Sequence, residues 1–405
     1  MKKYFTYIII SIFSISCIYA QKDIQNEKYK RSSLYSFLIS HPKVKMNNEI
    51  TSAYLALTTP DKFNNHDLSV KCVTSSKKRE DVEAVSKFLK KNEVAKRLVS
   101  KWFNRDKKSG VFDVSLITSR GEYNATKLDL EKAIHSERGV AILADAGEEL
   151  IGKTFVTVND ITYIDKEARA QIAKQIFSVI GSFAGEMGGS IGDIVESAAQ
   201  LSESISDQIA GFTVNVSTYL YQLDWNEEVA AKFYQDYYFD VNASSPNKML
   251  GYDSDQDLFK LKYIGSYTAK STKTVIKGIS KPEDVFRKVC ARALDNNIVA
   301  LQHRYDEFKV KEPLFSVTPS ITAKIGMKEG VAENSKFEVL EKSLDQNGKT
   351  IYKKVGVIAP EKKKIWDNRF MAVEEQADGA NLTATTFRKV SGGDFYVGML
   401  IREIK

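Results

Sequence analysis

The chain has 405 residues, 43% hydrophobic and 11% aromatic, enough apolar material to bury the cores of two or three domains. That composition excludes a disordered or low-complexity protein. The formal net charge is only +7 and the charges are interspersed, so the basic stripe of a nucleic-acid binder is missing.

Lys2 and Lys3 precede an apolar run from Tyr4 to Ile18 and a small residue, Ala20, before Gln21. This is the layout of a secretory signal peptide over residues 1–20, too short to span a membrane and stop. The expected location is the periplasm or the outer membrane. The alternative is a lipoprotein signal cleaved before Cys17, but Ser14 stands where such signals carry a large apolar residue. Beyond the leader only Cys72 and Cys290 remain. An oxidising compartment permits a disulfide between them, and two buried free thiols fit equally well. No C-x-x-C occurs, which leaves no signal for redox catalysis or structural zinc.

In chain order, residues 21–66 read as an N-terminal arm, with SLYSFLISH from Ser32 either helix or strand. DLSVKCVT, residues 67–74, alternates as a strand should. Residues 80–103 carry Val82, Val85, Phe88, Leu89, Val94, Leu98, Val99 and Phe103 at helical spacing. Residues 111–118 read as a strand and 128–135 as a helix. Residues 138–165 read as an apolar lead, a short helix stopped by Gly152, and a β-branched strand from Lys153 to Ile164. Apolar residues spaced by three and four then predict a long helix or helical hairpin over 165–210. From Gly211 the pattern returns to a strand through Trp225, then gives a helix over 226–238, a polar turn over 242–257, a strand over 258–269 and an amphipathic helix over 282–308.

Pro313 and Pro319 mark a boundary. Residues 312–405 are expected to form a small β domain from KFEVLEKS, TIYKKVGVI, FMAVEEQ, TATTFRKV and DFYVGMLIREI. The expected fold class is α+β: a mixed sheet with flanking helices over residues 67–311, the helical insertion, and a C-terminal barrel-like domain.

Several motifs invite chemistry. GEELIGKT, Gly147 to Thr154, fits the letters of a phosphate-binding loop. That loop needs a helix starting at the lysine, whereas a strand former follows Lys153, and Glu148 and Glu149 stand where phosphates would sit. No nucleotide is expected. GGSIG, Gly188 to Gly192, matches a nucleophile elbow, but Ser190 lies inside a helical period rather than after a strand. Asp253, Asp255 and Asp257 begin like a calcium loop that fails at Leu258 and Ile264. His41, His66, His135 and His303 share no metal-ligand spacing, and Glu374 and Glu375 are adjacent rather than facing. No catalytic residue, metal site or cofactor is nominated.

Gly181, Gly185 and Gly189, with Gly188 and Gly192 beside them, make smooth stripes on the insertion. They are a candidate partner contact, the bland reading being a hairpin that packs on its own sheet. Tyr219 to Phe239, with Trp225, is read as core packing before a ligand-stacking surface. The lysine-rich runs 76–79 and 361–364 are candidate contacts to an anionic surface, membrane lipid or cell-wall polymer, or simply solvated faces.

The strands KTFVTVNDITYI, TVNVSTYLYQLDW and FKLKYIGSYTA, the helix segment ARALDNNIVALQ and the module ITAKIGMKEGVAENSKFEVLE together resemble exported envelope proteins of the curli-secretion and flagellar-assembly type. KRSSLYSFLI and IWDNRFMA are similar to segments of uncharacterised exported proteins of Gram-negative anaerobes. The resemblance implies a small mixed sheet with helices and a small barrel carrying Gly330, Val331, Phe337 and Val339. The function expected from the sequence is non-enzymatic: an exported protein that scaffolds or binds envelope partners or itself. The alternatives are an exported hydrolase whose nucleophile is not identified and a secreted adhesin or ligand-binding module.

Overall fold

A computed structural model describes residues 32–124, 147–164, 209–243, 245–276, 282–344, 350–370, 372 and 382–404. SLYSFLIS is apolar on both faces and forms β1 (Ser32–Ser40), buried along nearly its whole length. Such a strand belongs inside a sheet. It pairs in parallel with β2 (Phe63–Asn65), β3 (Cys72–Thr74) and β4 (Thr154–Tyr163). β4 continues antiparallel to β5 (Ile209–Leu223), and β5 to β6 (Leu261–Ile276). The order is β2-β1-β4-β5-β6, with β3 also on β1, so this sheet is mixed. The stretch that the sequence offers as an arm therefore supplies an inner strand, and the α/β body begins at Ser32.

Each face of the sheet is covered. On one side Tyr35, Phe37, Val156, Val158, Tyr219 and Tyr221 pack against α2 (Val82–Lys91), α3 (Val94–Trp102), α4 (Ser115–Asn124), α5 (Glu227–Asp236) and α6 (Pro246–Ser254). On the other lie α1 (Asn47–Leu55) and the long α7 (Pro282–Arg304).

Three sequence readings change. The helix expected over 80–103 is two helices, α2 capped by the Asp81 side chain and α3 entered through Glu93 at φ 47°. The strand expected over 111–118 is an extended lead into α4, because both carboxylate oxygens of Asp113 are taken by Ser115, one by its N–H and one by its hydroxyl, which starts a helix. The polar turn expected over 242–257 contains α6, entered through Pro246, with Tyr252 alone buried along it. The helix expected over 128–135 and the insertion up to residue 208 lie outside the described residues; Ile209 and Ala210 already belong to β5.

The C-terminal strands are β7 (Glu312–Ser316), β8 (Ile321–Ala323), β9 (Lys336–Leu344), β10 (Thr350–Pro360), β11 (Thr385–Gly392) and β12 (Leu400–Ile404). They close in the order β10-β11-β8-β7-β12-β9, a barrel filled by Leu314, Phe337, Val339, Ile358, Phe387 and Ile401. β7 and β8 are too short to show a period in the sequence. Phe370 and Ala372 of the expected FMAVEEQ strand lie in no strand.

The barrel docks on α7. Gly330, at φ 85°, lies so close that a Cβ would stand 2.5 Å from Val299 Cγ1 on that helix. Beneath the junction Lys62 Nζ reaches Glu312 at 2.9 Å, both side chains nearly buried. Lys62 also donates to the Lys324 carbonyl, so one lysine ties the start of β2 to the barrel. Among the described residues no helix is long and apolar enough to cross a membrane.

Candidate functional site: a polar belt and its cleft

Alternation along the inner strands decides what faces α7. Phe155, Thr157, Asn159 and Ile161 share one face of β4; Leu34, Ser36 and Leu38 share that of β1; Val216, Thr218 and Leu220 share that of β5. The apolar members fall into two separate clusters, Leu38, Ile161 and Val216 in one and Leu34, Phe155 and Leu220 in the other. Between them runs a row of polar side chains.

Nearly every member of that belt is bonded. Asn159 Nδ2 donates to Ser36 Oγ at 3.0 Å and to the Tyr54 hydroxyl at 3.3 Å, and Ser36 lies 2.7 Å from Tyr54. Thr218 Oγ1 donates to Asn159 Oδ1 at 2.9 Å and accepts from Asn297 Nδ2 of α7 at 3.0 Å. Burial, opposed by the bonds to Ser36 and Asn159, raises the Tyr54 pKa well above that of a free phenol. Thr157 differs: it is 1% exposed, and its hydroxyl has no hydrogen-bond partner among the described residues. An unsatisfied buried hydroxyl costs about 1–3 kcal/mol.

Thr157 faces a cleft of about 160 Å³ between the sheet, α7, the chain after α1 and the barrel. Leu34, Leu57, Leu294, Ile298 and Phe370 give it apolar walls; Ser36, Tyr54 and Asn159 line it as well. Opposite the sheet, Asp295 of α7 and Lys328 of the barrel complete it. Burial pushes the Asp295 carboxyl up to about 6, the nearby Lys328 opposing that and Glu329 and Asp61 adding to it. The cleft is smaller than the roughly 300–1,000 Å³ common for drug-sized ligands and suits one side chain or a small polar molecule.

The sequence readings did not include these residues, yet two signals were present. Thr157 and Asn159 interrupt the apolar face of an otherwise buried strand. On α7, Ala291, Leu294, Asp295 and Ile298 fall at i, i+3, i+4 and i+7, so Asp295 occupies a core-facing position.

The described histidines are occupied elsewhere. His41 lies 2.9 Å from the buried Asp160 through Nε2 and donates from Nδ1 to the Lys77 carbonyl at 2.6 Å. Asp160 also accepts from the Glu80 N–H at 3.0 Å, and the network ties β4 to the loop before α2. His66 donates from Nε2 to the Leu98 carbonyl at 3.1 Å and accepts at Nδ1 from Arg120 at 3.3 Å. Burial, reinforced by Arg120, lowers the His66 pKa to about 3. His303 pairs with Glu403 of the barrel at 2.7 Å.

The His66 shift has a measurable consequence. A histidine depressed from 6.5 to about 3 leaves the unfolded chain binding the extra proton across that window. Stability from this residue is full above pH 6.5 and falls with acidification by about 1.4 kcal/mol per unit. Asp295, raised from 3.8 to about 6, acts in the opposite sense between those values. Urea midpoints measured from pH 7 to pH 4 should fall more steeply for the natural chain than for His66→Gln. Parallel curves would refute the assignment.

A second depression, about 890 Å³, lies between α2, α3 and the end of α6 and is rich in lysine. Its cations are largely engaged: Lys87 with Glu83 at 2.7 Å, Lys90 with Asp257 at 3.7 Å, and Lys96 with Glu93 at 2.9 Å. Lys96 also donates to the carbonyls of Asp253 and Asp255, and Asp253 pairs with Arg105. The three aspartates thus serve lysine and arginine. No group of metal-ligating side chains occurs among the described residues.

Gly147 to Ile151 form one helical turn, and Lys153 N–H returns to the Leu150 carbonyl before β4 starts at Thr154. Gly152 does not end the helix through a left-handed cap, since it is not among the glycines of positive φ. It is needed instead because a Cβ would lie 3.1 Å from the Trp225 carbonyl oxygen. Cys72 and Cys290 are free thiols packed about one apolar cluster, and burial raises both, Cys290 to about 12. Of the aromatics from Tyr219 to Phe239, Tyr219, Tyr221, Phe233 and Phe239 are buried in the core, Trp225, Tyr237 and Tyr238 pack against it, and Tyr234 is exposed. Of the lysine-rich runs, Lys77 pairs with Glu80, Arg79 donates to Ser217 and Lys364 pairs with Glu361. Gly181, Gly185, Gly188, Gly189 and Gly192, with Ser190, His135, Glu374 and Glu375, lie outside the described residues.

No protein-family model matches the chain, and the search of curated proteins found no match.

Proposed function

We propose that this is an exported, non-enzymatic envelope protein that binds a partner through the cleft between its α/β body and its barrel. The observation that carries the reading is the Thr157 hydroxyl, buried without a partner among the described residues on the wall of a cleft whose Ser36, Tyr54 and Asn159 are hydrogen-bonded to one another. A buried hydroxyl left unmatched beside an open space can be matched by a group that enters that space. The hydrolase reading is less well supported, because His41 and His66 have both ring nitrogens occupied. The export step rests on the leader over residues 1–20.

Thr157→Val keeps the shape and removes the orphan, so thermal unfolding should show a chain about 1 kcal/mol more stable. Cross-linking in intact cells, then fractionation, should recover the natural chain with the envelope in a cross-linked complex and Thr157→Val in much reduced yield. Recovery of the natural chain as a partner-free soluble monomer would overturn the reading.

A further inference from the structure

Among the described residues Asp295 is the acidic group of the cleft that makes neither a hydrogen bond nor an ion pair, whereas its neighbours are committed. Lys328 lies 3.9 Å from Asp61, and Lys71 lies 3.5 Å from Asp67. Glu329 accepts from the Gly326 N–H and from Asn368 Nδ2, each at 2.8 Å. Arg292 donates to the Phe370 carbonyl at 3.2 Å. The charges that act on Asp295 are two cations, Lys328 and Arg292, and two anions, Glu329 and Asp61. Each of those cations has an anion of its own or a carbonyl to bond, so ionised Asp295 has no dedicated counterion among the described residues.

The geometry around that charge selects a ligand. Asp295 lines the cleft from α7 and Thr157 from β4, so two oxygen acceptors are contributed by different elements. A guanidinium directs its donors in one plane and favours a two-oxygen carboxylate fork. An ammonium directs three donors tetrahedrally and can serve separated acceptors. The walls formed by Leu34, Leu57, Leu294 and Ile298 suit a short methylene chain behind it. Among the described lining residues an anion would find no unengaged cation, since Lys71 and Lys328 already have carboxylates.

We propose that the cleft binds a primary ammonium group on a short alkyl chain, held by the Asp295 carboxylate and the Thr157 hydroxyl. This deepens the binding function above and rests on it. The same chemistry is carried by a free alkylamine and by the lysine side chain of a partner protein.

The test is a chemical-shift titration of the purified full chain with n-butylammonium chloride, Nα-acetyl-lysine methylamide and n-butanol. Saturable binding of butylammonium at pH 7.5 is expected, with butanol at least tenfold weaker. Asp295→Asn, nearly the same shape, should weaken butylammonium by tenfold or more, and Thr157→Val by a smaller factor. Because Asp295 protonates near pH 6, affinity at pH 5 should be about tenfold lower than at pH 7.5. Binding of the lysine derivative would identify a protein side chain as the source, and its exclusion a free amine. Equal binding of butanol, retained affinity in Asp295→Asn, or no binding of either amine would overturn the assignment. Cross-linking to an envelope partner would then still stand, so the two failures are distinguishable.

Discussion

Phe233→Ala should lower the stability of the α/β body by about 3–5 kcal/mol, the usual cost of deleting a fully buried aromatic ring. Phe233 is 0% exposed and sits at the centre of an aromatic cluster, with ring centroids at 4.5 Å to Phe103, 5.2 Å to Phe112 and 5.6 Å to Trp225. Those rings come from the end of α3, the lead into α4 and the start of α5, so the cavity would open where three segments meet. Little backbone could collapse to fill it, which favours the upper part of the range. Tyr234 touches the same cluster but is 37% exposed, and Tyr234→Ala serves as the control. Urea midpoints measure both. A Phe233→Ala shift no larger than the Tyr234→Ala shift would refute the central role of the ring.

Lys62→Ala should cost a similar amount by a different route. Its ammonium lies 2.9 Å from Glu312, with side chains only 5% and 4% exposed, and removal takes the cation from a charge already withdrawn from water. Breaking a buried pair from one side typically costs about 3–5 kcal/mol, whereas replacing both partners by apolar residues is often neutral. The paired change Lys62→Met with Glu312→Leu should therefore recover most of the loss. The pair also joins the sheet to the barrel, so Lys62→Ala should split unfolding into two transitions. Tryptophan fluorescence can resolve them, Trp102 and Trp225 reporting the α/β body and Trp366 the barrel segment. A single transition at an unchanged midpoint would show that the junction is held by other contacts.

Much of the fold was legible where a segment had one strong period. The strand after Lys153, the strand from Gly211 to Trp225, the helix from Pro282 and the alternation of KFEVLEKS all reflect burial on one stripe or face. Where short segments are held by particular side chains, the period is absent. α6 buries Tyr252 alone, α4 is set by the Asp113 bonds to Ser115, and β7 and β8 are defined by barrel closure. Ser32 to Ser40 was ambiguous for the opposite reason, because a strand buried on both faces carries apolar residues on both and shows no clean alternation. The cleft was hidden in the sequence because it needs three distant stretches together: Thr157 on β4, Asp295 on α7 and Lys328 before β9.

The position of β1 bears on how the chain can fold as it emerges from its amino end. Its parallel partner in the sheet interior is β4, with Ser33 beside Thr154, so SLYSFLIS appears early and waits through much of the chain for that neighbour. β5 and β6 pair antiparallel and can form a ribbon without it. Until β4 arrives, an uncharged stretch of high strand propensity and no proline has an open edge, the profile of a segment that adheres to other copies. Early pairing of residues 32–40 with β2 and β3, which follow within forty residues, covers one edge and leaves the β4 edge as the exposed one.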